Sequence, residues 1–447
     1  MNKDYYEVKT PKKINRKAFA EVCVPGSKSI TNRALLIAAI ASGTSTLKGC
    51  LTSDDSMHFL ECLKALGFPV KVTNGSELTS DVTITGFGGE IPNKKAEIYV
   101  GSAGTAARFL VAMLAFSEGE YTVNSSDQMK KRPMQPLIDT LRNVGASITC
   151  IENEGHFPIR IVGIKDNSLI PESFTVNIDK SSQFLSALLI ASGAFKKKTT
   201  INVVGSHGLS YVDLTANMMK SFGVTVKKDI SGEQIQYLLS GTESYTPLEY
   251  EIEPDISAAA YFYALAAVLG VRVTVKGTSS HMLQGDVKFL NVLSEMGCEI
   301  SKDKNGNVTV IGAENGKLKG GFTVDMSAFS DQALTLSAIA PFADAPITIT
   351  GISHIRFQEC DRIKAILENL TALGIKVEEK SDGVTIYPGT PVGCEIQTYD
   401  DHRVAMSFAL TGLKTEGIRI LNPSCCKKTF AEYFDVLEKV IEEISEK

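Results

Sequence analysis

The sequence lacks the long apolar stretches that mark membrane proteins. Its longest apolar run, residues 256–271, is shorter than the about 20 residues that a bilayer span requires. Residues 1–10 carry charges but no apolar segment follows them, so we expect no secretory signal peptide. These absences predict a cytoplasmic protein without a membrane partner.

Cysteine pairs at metal-binding or redox spacing are lacking as well. The nine cysteines are an odd number, and the sequence contains no Cys-x-x-Cys motif. This pattern favours reduced thiols over a disulfide framework, and no cluster of His, Cys and Asp has the spacing of metal ligands. We therefore predict that the protein holds no metal.

Positive charge is in slight deficit, with 46 Lys and Arg against 51 Asp and Glu and a net charge of −5. Such a balance does not suit general nucleic-acid binding. Nucleotide-binding signatures are also missing, because residues 26–29 lack the GxxxxGK[ST] spacing and residues 101–108 lack GxGxxG. Local basic clusters therefore indicate recognition of a small anion.

What the 447 residues do contain is a repeat. An amphipathic helix pattern, with apolar residues at i, i+3 or i+4 and i+7, recurs six times, and the sixth copy, at 433–444, is eroded. A short β-rich segment follows each of the other five copies. These five copies end in a glycine suited to a left-handed C-cap, namely Gly67, Gly145, Gly223, Gly297 and Gly374.

A second helix type, rich in alanine and other small residues, alternates with the first. Small residues allow close helix approach, so we predict that these helices are buried and that the amphipathic helices face solvent on one side. The small-residue helices span 29–41, 104–116, 182–194, 256–268, 331–343 and 402–413, and a strand follows each. One unit of about 75 residues would bury little surface. We therefore predict two domains of three units each, with a break near 242–253.

Unusual residues gather at the starts of the small-residue helices. A helix N-terminus offers free N–H groups and a partial positive charge, and small residues let an anion approach it. N-capping explains a single such start equally well, but six in register, several with Lys or Arg, favour anion binding. The starts lie at 25–33, 101–108, 179–184, 253–257, 329–332 and 399–403. Three further charged segments, at 130–137, 355–363 and 427–430, fit either a solvated face or the same site.

Together these segments resemble a known family. Their order along essentially the whole chain is that found in 5-enolpyruvylshikimate-3-phosphate synthases: PGSKSITNRAL, GSAGTAAR, KKRP, SSQF, SDQA, QECDR, YDDHRVAMSF and KKTFAEYF. The resemblance implies an α/β fold, a two-domain inside-out α/β barrel in which each domain has three βαβαββ repeats around inner helices. It also implies that residues 25–246 form one domain, and that residues 1–24 join residues 247–447 in the other.

The resemblance also implies a reaction. Members of that family transfer the enolpyruvyl group of phosphoenolpyruvate to the 5-hydroxyl of 3-phosphoshikimate and release phosphate. The reaction passes through a tetrahedral intermediate and belongs to the shikimate pathway, which leads to chorismate and the aromatic amino acids. Members need no metal or organic cofactor. The resemblance further implies a cytoplasmic monomer, without a nucleic-acid or membrane partner, and glyphosate as an inhibitor.

Site residues follow from matching each position to the family motifs. Asp331 matches the base for the 5-hydroxyl, Glu359 the group that protonates the methylene carbon, and Lys28 a cation that assists transfer or phosphate departure. The implied 3-phosphoshikimate ligands are Lys28, Ser29, Arg33, Ser181, Ser182, Gln183, Tyr211, Asp331, His354 and Gln358. The implied phosphoenolpyruvate ligands are Lys28, Gly104, Arg132, Gln183, Arg362, Arg403 and Lys428.

Four departures from the family pattern lie close to these positions. The sequence has Gln358 in place of the usual Lys, His354 in place of Asn, Ser102 in place of Asn and Phe109 in place of Pro. The loss of a cation at position 358 leaves open an enolpyruvyl transferase with another acceptor.

Two competing functions would make different demands on the sequence. A UDP-N-acetylglucosamine enolpyruvyl transferase shares the fold and the donor but uses a loop cysteine, and residues 117–130 contain none. A non-catalytic repeat protein, binding a partner through its alanine-rich helices, would have no need of Lys and Arg at the helix starts.

Overall fold

The computed structural model describes residues 4–76, 78–232 and 234–446. In this part of the chain the strands are β1 (Tyr5–Glu7), β2 (Phe19–Val22), β3 (Ser42–Cys50), β4 (Val70–Asn74), β5 (Ser80–Phe87), β6 (Lys95–Tyr99), β7 (Glu120–Asn124), β8 (Ser147–Cys150), β9 (Ile159–Val162), β10 (Ser173–Asn177), β11 (Thr199–Val204), β12 (Val226–Ser231), β13 (Gln234–Leu239), β14 (Glu249–Glu251), β15 (Arg272–Val275), β16 (Glu299–Lys302), β17 (Val308–Ile311), β18 (Thr323–Asp325), β19 (Ile347–Thr350), β20 (Val377–Lys380), β21 (Gly383–Ile386), β22 (Glu395–Ile396) and β23 (Arg419–Leu421). The α-helices are α1 (Lys28–Ile40), α2 (Asp54–Ala65), α3 (Gly104–Ala115), α4 (Asp127–Lys130), α5 (Gln135–Asn143), α6 (Gln183–Ser192), α7 (Leu209–Ser221), α8 (Ile256–Leu269), α9 (Phe289–Glu295), α10 (Ala333–Ile339), α11 (Arg362–Ala372), α12 (His402–Ala409) and α13 (Tyr433–Ile444). Short 3₁₀ helices occur at Asn167–Leu169, Gly285–Lys288, Glu314–Gly316, Ser330–Gln332, Ala340–Phe342, Ser353–Phe357, Leu410–Leu413 and Pro423–Lys428.

The chain divides into two compact units, a central unit (Gly26–Ile252) and a terminal unit (Met1–Pro25 with Glu253–Lys447). The described residues of the central unit form three sheets of one topology, ordered β14-β3-β5-β4, β6-β7-β9-β8 and β10-β11-β13-β12. In each, the first two strands run parallel and the later joins are antiparallel. In the terminal unit, β2-β15-β17-β16 and β18-β19-β21-β20 repeat the pattern. The predicted α/β class and βαβαββ repeat are confirmed.

The amphipathic helices end as the sequence predicts. Each of the five capping glycines has a left-handed φ, between 75° and 112°. At the first of them, the N–H of Gly67 donates to the carbonyl of Lys64 and that of Phe68 to the carbonyl of Leu63. This is the Schellman arrangement, which satisfies the free carbonyls of the last helical turn. The same pair of bonds closes α5, α7, α9 and α11, so each outer helix turns into the next strand in the same way.

Three repeats take one strand from a distant part of the chain. Strand β14 pairs in parallel with β3 and completes the first repeat, whereas β2 pairs with β15 and completes the fourth. Strand β1 likewise joins the sixth repeat, antiparallel to β23. This exchange moves the domain boundary from that given by the sequence. Residues 247–252 lie in the central unit, because β14 and the N–H of Ile252 bind β3, and Pro25 accepts a hydrogen bond from Asp255 in the terminal unit.

The small-residue helices form the core of each unit. Helices α1, α3 and α6 pack on one another in the central unit, and in the terminal unit α10 packs on both α8 and α12. Every residue of α3 and of α8 is buried, as expected of core helices, and in α3 the buried set includes Arg108. The predicted helix at 331–343 is α-helical only over α10, because Pro341 has no N–H to continue the hydrogen-bond ladder. Within the described ranges, none of the helices is long and apolar enough to cross a membrane.

The N-terminal segment docks on the sixth repeat through a tight contact. A Cβ added at Gly412 would lie 2.5 Å from the Cβ of Val8, a buried side chain. We expect Gly412→Ala to lower the free energy of unfolding, measured in urea, by about 1–3 kcal/mol because the contact is overpacked. Adding Val8→Gly, which removes that Cβ, should make the loss smaller than the sum of the two single losses. Strictly additive effects of the two substitutions would contradict a direct contact between them.

Candidate active site

In the central unit, the start of α1 places a lysine. The buried Ser27 caps the helix, its Oγ accepting a hydrogen bond of 3.3 Å from the N–H of Ile30. Lys28 follows, and its Nζ lies 3.4 Å from Oδ2 of Asp55 in α2. Both side chains are largely buried, at 14% and 4% exposed. The pair holds the Lys28 ammonium at the positive end of α1, where an anion is favoured.

The start of α3 is crowded by two guanidinium groups. A Cβ added at Gly104 would lie 2.6 Å from Nη1 of Arg132 and 2.6 Å from Nη1 of Arg108. Arg108 is buried and donates to the Gly104 carbonyl, to Oε1 of Gln183 and to the Pro133 carbonyl, at 3.0 to 3.2 Å. Nε and Nη1 of Arg132 are buried and find no hydrogen-bond partner among the described residues. Such donors suit a bound anion.

Arg33 of α1 ties its own helix to α7 in the central unit. Its side chain is 1% exposed, and it donates to Oγ1 of Thr215 (2.7 Å), the Ser29 carbonyl (2.9 Å) and the Tyr211 carbonyl (3.1 Å). Burial lowers the pKa of Arg33 to about 10, which leaves it charged at neutral pH. Arg33 thus supports the backbone of Ser29 and of Tyr211 through these hydrogen bonds.

The start of α6 carries two further residues singled out in the sequence. Ser181 and Ser182 are half-buried, and Oγ of Ser181 accepts a hydrogen bond of 3.3 Å from the N–H of Gln183, the first residue of the helix. Since Arg108 also holds the Gln183 side chain, the two serines and the glutamine lie next to the start of α3.

Asp331 is the centre of the cluster in the terminal unit. Its Oδ1 lies 2.8 Å from Nη1 of Arg362, and its Oδ2 lies 2.9 Å from Nη2 of Arg403. Arg362 has a second carboxylate partner, Asp401, which accepts hydrogen bonds from Nε at 2.8 Å and from Nη2 at 3.3 Å. The fully buried Asp401 is also the N-cap of α12, accepting from the N–H of Arg403. Two carboxylates thus fix two guanidinium groups.

The charges of this cluster support one another. Burial opposes the charge on Arg362, but Asp401 and Asp331 raise its pKa above the ordinary arginine value. Burial also opposes the charge on Arg403, but Asp331 raises the pKa of Arg403 well above its usual range. Burial also opposes the charge on Asp401, whereas Arg362 keeps the pKa of Asp401 below normal. All three are ionised at neutral pH, as buried charges are when paired.

A strained turn brings a lysine into the same cluster. Tyr399 and Asp400 have φ of 55° and 57°, a left-handed conformation that is costly for residues other than glycine. The turn directs the Asp400 carbonyl to 2.8 Å and its Oδ2 to 3.2 Å from Nζ of Lys428. Oε2 of Glu359 lies 3.4 Å from the same Nζ. Burial opposes the charge on Lys428, but Glu359 and Asp400 raise its pKa.

Three of the departures from the family pattern support the site. Oε1 of Gln358 accepts a hydrogen bond from Nη1 of Arg362, so a lysine there would lose this bond and bring a second cation beside the first. Nε2 of His354 lies 2.9 Å from Oγ of Ser330, the residue before Asp331. In the central unit, the Phe109 ring lies 5.4 Å from the Arg33 guanidinium.

The structure therefore brings the sequence-predicted residues together within each unit. Sequence reasoning missed Asp55, Arg108 and Asp401 as partners of the assigned residues. Asp401 had a signal, because an aspartate just before a helix is a typical N-cap. Arg108 lies in the GSAGTAAR motif without an assigned role, and nothing in the sequence links Asp55 to Lys28.

Comparison with known proteins decides the family. The family described as EPSP synthase (3-phosphoshikimate 1-carboxyvinyltransferase) matches residues 12–437. The chain belongs to this family. It is 43% identical, over 430 residues, to the 3-phosphoshikimate 1-carboxyvinyltransferase of Trichormus variabilis, covering 96% of this chain and 98% of that protein.

Solved structures agree with this membership. An EPSP synthase from Acinetobacter baumannii is 25% identical, with a TM-score of 0.77 over 97% of this chain and 98% of its own. The enolpyruvyl transferase NikO from Streptomyces tendae has a TM-score of 0.74 at 13% identity, covering 98% of this chain and 97% of its own. That second likeness concerns the fold alone.

The pairing of Arg362 gives a stability prediction. Asp401→Asn keeps a residue suited to capping α12 but removes the charge, leaving a buried guanidinium with less compensation. We expect a loss of about 3 kcal/mol in the free energy of unfolding at pH 7. Asp361→Asn is the matched control, because Asp361 caps α11 but has a partly exposed side chain paired with Arg356. It should cost less than about 1 kcal/mol, and equal losses in urea denaturation would refute the argument.

Proposed function

We propose that this chain transfers the enolpyruvyl group of phosphoenolpyruvate to the 5-hydroxyl of 3-phosphoshikimate and releases phosphate. The observation that carries the proposal is the cluster of the terminal unit. Asp331 lies between Arg362 and Arg403, and Glu359 lies beside Lys428. A donor with a phosphate and a carboxylate needs such cations, and addition followed by elimination needs a proton acceptor and a proton donor. The reaction serves the shikimate pathway to chorismate and the aromatic amino acids.

The ligands assigned from the sequence divide between donor and acceptor. For phosphoenolpyruvate we propose Lys28, Gly104, Arg132, Gln183, Arg362, Arg403 and Lys428. For 3-phosphoshikimate we propose Lys28, Ser29, Arg33, Ser181, Ser182, Gln183, Tyr211, Asp331, His354 and Gln358. Support comes from the buried donors of Arg132 and from the position of Lys28 in the first turn of α1. Given its burial, Arg33 acts mainly by holding Ser29 and Tyr211.

Competition for the cations links binding to proton transfer. A donor anion that takes hydrogen bonds from Arg362 and Arg403 competes with Asp331 for them, so the Asp331 carboxylate becomes available to accept the 5-hydroxyl proton. The same competition at Lys428 favours the protonated form of Glu359. The 5-oxygen bonds to C2 of phosphoenolpyruvate as Glu359 protonates the methylene carbon. The C2–O bond to phosphate then breaks with help from Lys28, and a methyl proton returns to the Glu359 carboxylate, which restores the double bond.

The proposal extends to inhibition, localisation, oligomeric state and the alternative acceptor. Glyphosate, which carries a phosphonate and a carboxylate, competes for the cations assigned to the donor. The protein acts as a cytoplasmic monomer, and its central and terminal units are the two domains of the family. An enolpyruvyl transferase with another acceptor is the second candidate, because Gln358 stands where a cation is usual.

The deciding experiment measures phosphate release from phosphoenolpyruvate by the purified protein. The reaction is run without acceptor, with 3-phosphoshikimate and with UDP-N-acetylglucosamine. Release that depends on 3-phosphoshikimate supports the proposal. Release with only the nucleotide sugar, or with neither acceptor from a folded protein, refutes it.

Two substitutions test the proton-transfer roles. We expect Asp331→Ala and Glu359→Gln each to lower kcat by about 10²–10⁴-fold, the range for losing a general acid or base. Glu378→Gln is the matched control, because Glu378 is a carboxylate of the same unit that pairs with Lys376 and Lys380 on the surface. It should retain the parent kcat, and a kcat within threefold of the parent in either test variant would remove that residue from the mechanism.

Gly104→Ala tests the donor site. The added Cβ would displace the Arg132 guanidinium, from which it would otherwise lie 2.6 Å. We expect the KM for phosphoenolpyruvate to rise about tenfold, equivalent to about 1.4 kcal/mol of lost binding, while the KM for 3-phosphoshikimate changes less than twofold. An equal rise for both substrates would mean that Arg132 is not specific to the donor.

A further inference from the structure

Asp286 is a buried carboxylate outside the cluster described above. It lies in the 3₁₀ helix Gly285–Lys288 of the terminal unit, and its side chain is 1% exposed. Its Oδ1 accepts hydrogen bonds from Oγ of Ser257 (2.9 Å) and from Nε2 of Gln332 (2.8 Å). Its Oδ2 is also buried and has no hydrogen-bond partner within the part of the chain that the structure describes. A buried group in this state calls for an explanation.

The hydrogen bonds of Asp286 lead to Asp331. Gln332, which is fully buried, follows Asp331 directly in the 3₁₀ turn before α10. Oε1 of Gln332 accepts from Oγ1 of Thr335 (3.0 Å), and that hydroxyl lies 3.3 Å from Oγ of Ser407 in α12. Asp286 therefore fastens the turn that carries Asp331 at the point where the inner helices of the terminal unit meet.

The surroundings of Asp286 are charged. Burial raises its pKa to about 6, with a contribution from the negative charge of Asp331, and Arg403 and Asp255 also act on it. The folded protein keeps a proton on Asp286 up to about pH 6, whereas the unfolded chain releases it near the ordinary value of 3.8. Raising the pH through this window therefore removes stability. Above it, the native state bears the whole cost of a buried charge.

Hydrogen bonding alone does not require a carboxylate at this position. Asparagine has nearly the same shape, and its amide oxygen could accept from both Ser257 and Gln332 without the cost of burying a charge. A carboxylate that is unfavourable for stability, next to a reacting group, points to a role in the reaction.

We propose that Asp286 is a positioning residue for Asp331, acting through its hydrogen bond to Gln332 and through its negative charge. The inference rests on the proposed function, in which Asp331 is the base. Arg362 and Arg403 both favour the ionised form of Asp331 and so weaken its affinity for a proton. A like charge nearby strengthens that affinity. Asp286 offsets the two guanidinium groups, so that Asp331 is able to take the proton of the 5-hydroxyl.

Two variants separate the hydrogen bond from the charge. Asp286→Asn keeps the acceptor oxygen and removes the charge, whereas Asp286→Ala removes both. At pH 8, in phosphate release with phosphoenolpyruvate and 3-phosphoshikimate, we expect kcat to fall about tenfold in the Asn variant. In the Ala variant we expect a fall of about 100-fold, the loss that a misplaced group can cause. In the Asn variant both KM values should stay within about threefold of the parent, because the turn that carries Asp331 keeps its hydrogen bond through Gln332.

Stability measurements distinguish this role from a structural one. Urea denaturation at pH 8 should show the Asn variant to be at least as stable as the parent, because the buried charge is gone. Asp303→Asn is the matched control, since Asp303 holds the turn between β16 and β17 through Asn305 and Asn307. It should leave kcat unchanged.

The outcomes are separable from those of the proposed function. A parent protein without phosphate release in the presence of 3-phosphoshikimate overturns the proposed function, and this inference with it. With an active parent, a kcat within threefold of the parent in the Asn variant overturns the inference alone. A fall in kcat that merely matches a loss of folded protein also overturns it.

Discussion

Arg362 carries a positive charge where almost no water reaches it, and much of the terminal unit is arranged to keep that charge paired. Asp401 takes two of its hydrogen bonds and, by capping α12, also fixes where Arg403 begins. Asp331 then lies between both guanidinium groups. If the pairing between Asp401 and Arg362 failed, the start of α12 and the orientation of Asp331 would change together. The reason is that Asp401 both holds Arg362, which binds Asp331, and caps α12.

The central unit solves a related problem with neutral partners. Arg33 and Arg108 are as buried as Arg362, but they donate hydrogen bonds to carbonyl, hydroxyl and amide oxygens. They hold the helix starts through neutral oxygens. At these starts Lys28 is paired with Asp55, whereas Nε and Nη1 of Arg132 find no hydrogen-bond partner among the described residues. The two units therefore differ in their cations. Carboxylates pair Arg362, Arg403 and Lys428 in the terminal unit, whereas in the central unit Arg132 keeps two buried donors without a hydrogen-bond partner among the described residues.

The repeat was predictable because it depends on local patterns. A left-handed glycine after an amphipathic helix and a strand after a small-residue helix are both visible within ten residues, and the structure has both at the predicted places. The partners of the assigned residues were not visible in this way. Asp55 meets Lys28 only after two helices have packed, and Asp286 reaches Asp331 only through a side chain 46 residues further along. The boundary at 247 was misplaced for the same reason, since pairing between β14 and β3 is a contact between distant segments.

The exchange of strands also sets an order for folding during synthesis. Every strand of the central unit, including β14, has been made once residue 252 has left the ribosome, and N-terminal segments generally fold first. The terminal unit cannot complete its sheets at that stage. Strand β2 cannot pair until β15 appears, and Tyr5 finds its partner Leu421 only when nearly the whole chain exists. Strand β1, although it is made early, is thus among the last strands to be paired.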